Sequence, residues 1–216
     1  MEKKLVYIYL AYERFWHWSQ AILIIILIFT GFEIHGSWQF LGFETAVKIH
    51  NSASTALLIL IVFTIFWHFI TGEWKQYIPG TKNLLAQIKY YLIGIFKNQP
   101  HPTKKKMRKK LNPLQSLVYL GLKVILFPMV VITGLLYLFY RFPSDGEIRS
   151  LKMDGLENVA LLHTVGAFLI VAFLIVHLYL ITTGETITSN LKAMITGYEE
   201  LEKDEQDDND ECQNNY

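Results

Sequence analysis

His163 and His177 stand in one apolar run, Leu161 to Thr183 (LLHTVGAFLIVAFLIVHLYLITT), otherwise interrupted only by a few hydroxyl groups. Imidazole binds iron and carries protons. Fourteen residues of helix make close to four turns and ~21 Å of axis. Both side chains therefore leave one face, near opposite edges of a hydrocarbon layer that needs about 20 apolar residues to cross. Gly166 and Ala167, one turn after the first histidine, leave room for something flat against the helix. Two imidazoles on one membrane stripe have the form of half of a two-haem stack. The competing reading is a pair of bundle-facing histidines bonded to neighbouring helices. The choice depends on whether other helices supply partners at matching depths.

Three more histidines belong to apolar segments. His17 opens the first, about Phe15 to Ile34, beside Arg14, Trp16 and Trp18. Arg14 and His17 are three apart and share a face; the tryptophans suit an interfacial belt. His50 lies about two turns into the second segment, Glu44 to about Ile70, and His68 lies near its end. Those two are eighteen apart, five whole turns, and also share a face. The third segment starts at Asn112-Pro113, a good cap and first-turn pair, and runs to about Tyr140, with Lys123 able to snorkel and Pro128 set to kink it. The run with His163 and His177 is the fourth, closing at Gly184. His35 and His101 lie in polar surroundings and read as solvated.

The composition agrees with four spans. The 216 residues are 52% hydrophobic with a net charge of +1, yet the charges are segregated. From Glu73 to Lys110 there are ten Lys or Arg and one acidic residue, which by the positive-inside tendency makes this loop cytoplasmic. Anionic lipid headgroups account for KKKMRKK, Lys104 to Lys110, better than nucleic acid does. Asn83 to Lys97 carries an apolar helical stripe and reads as an amphipathic interfacial helix. Arg141 to Asn158 has three basic and four acidic residues and fits the outside. The expected fold is an all-α membrane protein: a four-transmembrane-helix bundle with an amphipathic cytoplasmic interfacial helix and both termini cytoplasmic. Residues 1–14 form the N-terminus, 15–185 the bundle with a cytoplasmic loop at 72–112, and 186–216 a largely disordered acidic tail, with a surface helix at Leu191 to Leu201. The N-terminus lacks a signal peptide's core and cleavage site, so the first apolar run stays as an anchor. The only cysteine, Cys212, rules out an internal disulfide and a cysteine-held cluster. Without C-x-x-C-H, any haem is held without thioether links.

With both termini inside, the depths sort into pairs. His17 and His177 fall at the inner level, His50 and His163 at the outer. A faint repeat accompanies them: the first and third spans each carry Thr-Gly (Thr30-Gly31, Thr133-Gly134), and the second and fourth each carry a histidine near the outer end. Glycine there permits close approach of a helix or a macrocycle.

These residues resemble the four-helix cytochrome b family: the b-type subunits of nickel–iron hydrogenase, formate dehydrogenase and thiosulfate reductase, and the bacterial cytochrome b561 proteins. The resemblance is carried by Arg14-Phe15-Trp16-His17-Trp18, by His50-Asn51-Ser52, and by the His163–His177 spacing. His68-Phe69-Ile70-Thr71-Gly72-Glu73-Trp74 through Tyr77-Ile78-Pro79 is most similar to the thiosulfate reductase and hydrogenase branch. It implies two haems b, each with two histidine ligands (His17, His50, His163 and His177). Electrons would pass between menaquinone or ubiquinone and a periplasmic or membrane-associated redox subunit, of iron–sulfur or cytochrome c type, in the bacterial inner membrane. Arg14 is a candidate partner for a haem propionate, with ordinary interfacial charge as the alternative. His68 is a candidate for bonding a propionate, lining a quinone pocket or replacing one of the four ligands. Glu73 and Tyr77 are candidates for relaying quinone protons, against a structural role at headgroup level. The chain is thus expected to be an electron-transfer subunit of an oxidoreductase. Its rivals are a self-contained cytochrome b561-like oxidoreductase of a small diffusible reductant and a haemless scaffold or transporter.

Overall fold

The computed structural model describes residues 3–80, 84–94, 97, 99, 110–141, 153–184 and 186–202. Four of its helices are long and apolar enough to cross a membrane. α1 spans Ala11–Ile34 and α2 Phe43–Thr71. The third crossing is α4, Pro113–Gly121, a π-helical turn Leu122–Leu126, and α5, Phe127–Arg141. The fourth is α6, Met153–Ile181. Large apolar side chains such as Ile22, Phe63, Phe66, Phe168 and Ile175 are more than half exposed, as a lipid-facing surface requires. The first three spans match the sequence reading to within four residues at either end, whereas the fourth helix starts at Met153, within the segment read as an external loop, rather than at Leu161. His101 and most of the basic run lie outside the described residues, as do the loop centred on Ser144 and the acidic tail beyond Glu202.

Local chemistry sets the ends. Asn112 Oδ1 accepts from Gln115 N at 2.8 Å while Gln115 Oε1 accepts from Asn112 N at 3.0 Å, a reciprocal cap with Pro113 as first helical residue. α2 stops at Gly72, whose φ of 75° is a left-handed cap that glycine adopts without strain. The turn from α1 into α2 is held by Glu33, which is buried and takes N–H groups of Phe40 (3.0 Å) and Gly42 (2.8 Å), together with that of Leu41, on one oxygen. Those donors precede and open α2, so the carboxylate also meets the positive end of that helix. The π-turn precedes Pro128, which has no N–H to give and whose ring crowds the turn before it. The wider turn absorbs that break and carries Lys123 into the bundle.

α1 packs closely on α2, and α5 on α6, giving two helical hairpins. α6 does not pack closely, backbone on backbone, against α1 or α2. At the end where the chain begins, a small antiparallel sheet pairs β1 (Lys3–Tyr7) with β2 (Tyr198–Glu202), Lys3 opposite Glu202 and Tyr7 opposite Tyr198. A short α3 (Leu84–Lys89), continued by a π-turn to Gly94, stands where the interfacial helix is expected; Asn83, Ile95 and Phe96 of that expected helix lie outside the described residues. The expected helix Leu191 to Leu201 is instead α7, Ser189–Thr196, followed by β2. Gly197, at φ 89°, ends α7 and turns the chain into the strand. Its carbonyl accepts from the N–H groups of Ile8 (2.8 Å) and Tyr9 (3.2 Å).

Candidate haem sites

The helices bring the four histidines together in two pairs. His17 of α1 faces His177 of α6 with ring centres 6.2 Å apart, and His50 of α2 faces His163 of α6 at 6.4 Å. An ion bonded at ~2.0–2.1 Å to one nitrogen of each ring would fit between rings at these separations. Among the described residues no three His, Cys, Asp or Glu side chains converge on a point. Each pair offers two imidazoles, which would suit a group that brings further ligands of its own better than a bare ion.

The surroundings of the pairs differ. His50 Nδ1 lies 2.9 Å from Thr30 Oγ1, and His163 Nδ1 lies 3.1 Å from Thr133 Oγ1 and from the Val130 carbonyl. The glycine after each threonine stands against the same ring. A Cβ on Gly31 would sit 3.6 Å from His50 Cε1, and one on Gly134 3.1 Å from His163 Cε1. The repeated Thr-Gly is thus a repeated seat for a histidine of the next span. At the other level His177 stacks on Phe173 (5.5 Å, 17°), and His17 meets Trp18 edge-on at 5.3 Å. His17 Nδ1 is buried with no hydrogen-bond partner.

Gly166 differs from its expectation, and Arg14 and His68 find partners within the protein. Gly166 does not leave open space, because a Cβ there would meet Val130 Cγ2 at 2.5 Å and Met129 Cε at 2.8 Å; it is where α6 approaches α5. Arg14 points its guanidinium at α7, with Nη1 donating to Ile195 O at 2.7 Å, Nη2 to Tyr7 Oη at 3.4 Å, and Nε buried without a partner among the described residues. Trp18 Nε1 donates to Met194 O at 3.2 Å, so both residues hold the last turn of α7 over the start of α1. His68 faces none of the four histidines. Its Nδ1 donates to Thr64 O at 2.7 Å, and its Nε2 lies 3.2 Å from Tyr77 Oη and 3.4 Å from Lys123 Nζ.

This last group is a buried polar cluster that the sequence only partly announces. Lys123 Nζ sits 3.5 Å from the centre of the Tyr77 ring and 4.8 Å from that of Trp16, the residue before His17, so two aromatic faces cradle the cation. Lys110 Nζ binds Glu13 (2.8 and 2.9 Å) and Glu73 (3.3 Å), all three side chains mostly buried. Burial pushes the Tyr77 phenol well above its ordinary range, and the Glu13 and Glu73 charges add to the rise. Glu33, Thr30 and Thr133 also gain roles that the sequence reading did not assign. The available signals were an acid in the last turn of an apolar helix and the repeated Thr-Gly itself.

Imidazoles facing in pairs across a four-span bundle define a class, the membrane b-type cytochromes. Comparison with known proteins agrees: the profile of the prokaryotic cytochrome b561 family matches residues 8–197, and the chain belongs to that family. The putative cytochrome YdhU of Escherichia coli K12 is 31% identical over 202 residues, covering 89% of this chain and 74% of that protein. A probable Ni/Fe-hydrogenase B-type cytochrome subunit of Rhizobium leguminosarum bv. viciae is 23% identical over 227 residues, 96% of this chain and 93% of its own length. The F420 non-reducing hydrogenase II cytochrome subunit of Methanosarcina mazei is 38% identical over 96 residues, 40% of this chain and 34% of its own. The chain is accordingly a multi-pass, haem-b-binding electron-transfer protein of the inner membrane.

Proposed function

We propose that this chain is the di-haem membrane subunit of a respiratory complex, transferring electrons between quinone at the inner face and a partner redox subunit at the outer face. The observation that carries the proposal is the spacing of the two imidazole pairs, 6.2 and 6.4 Å between ring centres. His17 and His177 would hold the inner haem b, and His50 and His163 the outer. When bound there, haem b supplies one-electron oxidation and reduction. Two relatives named as hydrogenase cytochrome subunits favour a partner that carries the substrate chemistry, of iron–sulfur or cytochrome c type. The basic loop after α2 favours the assignment of inner and outer, with anionic lipid beside it.

Quinone chemistry requires protons as well as electrons: a quinone taking two electrons takes two protons, one on each oxygen. The cluster of Trp16, His68, Tyr77 and Lys123 is suited to the head group. Lys123 offers its Nζ–H groups to a quinone oxygen, Trp16 an aromatic face, and the Tyr77 hydroxyl donates to His68 Nε2, since Nδ1–H of that ring is engaged by Thr64 O. Glu13, Lys110 and Glu73, ion-paired to one another at the same end of the bundle, would exchange protons between this cluster and the cytoplasm. Menaquinone and ubiquinone both fit this chemistry.

The test is a pyridine haemochrome assay on the purified chain, which should return close to two haems b per polypeptide with a low-spin spectrum. One haem per chain, or a predominantly high-spin signal, would contradict the four-ligand assignment. A reporter fused after Lys110 should behave as cytoplasmic and one fused between Ser144 and Lys152 as external. The reverse pattern would exchange the inner and outer labels without unpairing the ligands.

A further inference from the structure

Each histidine of the outer pair reaches a buried threonine on the preceding span, Thr30 for His50 and Thr133 for His163. A hydroxyl has one proton to donate. Thr30 gives it to Ile26 O at 2.8 Å and Thr133 to Met129 O at 2.7 Å, four residues earlier in both helices. Each oxygen can then only accept from the imidazole, so Nδ1 carries the hydrogen in both rings. The Val130 carbonyl, 3.1 Å from His163 Nδ1, has no proton at all and demands the same form. A neutral imidazole with its hydrogen on Nδ1 presents its lone pair at Nε2. At the inner level the arrangement is missing. His17 Nδ1 is buried without a partner, and His177 makes ring contacts with His17 and Phe173 but no hydrogen bond among the described residues.

We propose that Thr30 and Thr133 are positioning residues that fix the tautomer of His50 and His163 and strengthen both as donors, so that the outer site favours oxidised iron more than it would without them. This inference rests on the reading of the four histidines as haem ligands. A hydrogen bond from Nδ1–H to an acceptor leaves more electron density on Nε2, which raises ligand basicity and fixes ring orientation. Such bonding is one of the protein's levers on haem iron. A purely structural role for the threonines would explain their bonds to carbonyls four residues earlier. It would not explain why the Nδ1 atom of a histidine on the next helix meets the same oxygen at both positions.

The experiment is a potentiometric titration of the purified holoprotein, followed by visible and paramagnetic resonance spectra. The outer component is identified as the one that His50→Ala removes. Valine keeps the shape of threonine and removes the acceptor. In T30V/T133V the outer midpoint should rise, by up to about tenfold in the oxidised-to-reduced equilibrium or ~59 mV for one electron, while the inner midpoint stays. In T30S/T133S the outer midpoint should return to the parent value. Unchanged midpoints in the valine pair, equal shifts of both haems, or serine variants that shift as far as valine would each overturn the proposal. Loss of the outer haem in the valine pair with retention in the serine pair supports positioning; loss in both means that packing alone is at work, and the proposal fails. Failure of the underlying reading has a different signature: fewer than two haems in the parent, or both haems kept in His50→Ala.

Discussion

At the end of the bundle where α1 turns into α2, His50 and His163 are held by the same device used twice: a threonine acceptor with a glycine beside it on one span, a histidine on the next. At the end where the chain begins, His17 and His177 lack that device and are set against Trp18 and Phe173, with Trp16, the residue before His17, turned to the Lys123–His68–Tyr77 cluster, and with the cap of α7 and the β1–β2 sheet at the same end. The first end is built for fixed orientation. The second has no such acceptor and instead lies beside a set of buried polar groups, Lys123, His68, Tyr77 and the Lys110–Glu13–Glu73 ion pairs. The lesson is that two histidine pairs with nearly the same spacing can have quite different surroundings.

The comparison can be broken most severely at the ligands. His17→Ala or His177→Ala should remove or convert the inner haem alone, and His50→Ala or His163→Ala the outer alone, so each variant should retain about one low-spin haem by haemochrome assay and spectrum. A variant of one pair that depletes both haems equally would show that the two ends are not separable.

Smaller effects should distinguish the two seats of the outer end. A methyl group on Gly134 would press on His163 at 3.1 Å, whereas one on Gly31 would meet His50 at an ordinary 3.6 Å. Gly134→Ala should therefore broaden or shift the outer haem spectrum and lower its occupancy, and Gly31→Ala should leave it near the parent. Equal sensitivity would show that the seats are more alike than their geometry. Both variants should leave the inner haem unchanged.

At the inner end, His68→Ala should keep both low-spin signals and slow quinol-driven haem reduction in stopped-flow measurements, because the residue contacts Tyr77 and Lys123 rather than a ligand. Loss of a haem in this variant, with both kept in His17→Ala, would move the inner site from α1 to α2. The smallest effect is expected for Lys110→Ala. It leaves the Glu13 and Glu73 carboxylates facing each other without their shared cation, at a cost of about 1–3 kcal/mol and so a fall of ~2–12 °C in the thermal midpoint. A variant as stable as the parent would show that this ion lattice is not part of what holds the inner end together.

The sequence by itself determined the four spans, because about 20 apolar residues cross a bilayer in only one economical way. It also determined that His163 and His177 share a stripe, because helical period fixes the faces of one element, and the alternating directions of successive spans were enough to match depths between helices. It could not say what touches the ligands. Gly166 looked like room for a macrocycle and is filled by Val130 and Met129 of α5. Arg14, read as a propionate partner or as ordinary interfacial charge, holds the carbonyl of Ile195, 181 residues away, a contact no local pattern announces. Thr30 and Thr133 looked like companions of glycine and turned out to face histidines of other spans. The β1–β2 pairing joins the two ends of the described chain, and only tertiary structure decides such a pairing. A helix's period is local, but the rotation of one helix against another and the approach of distant segments are set by side-chain packing across the whole bundle.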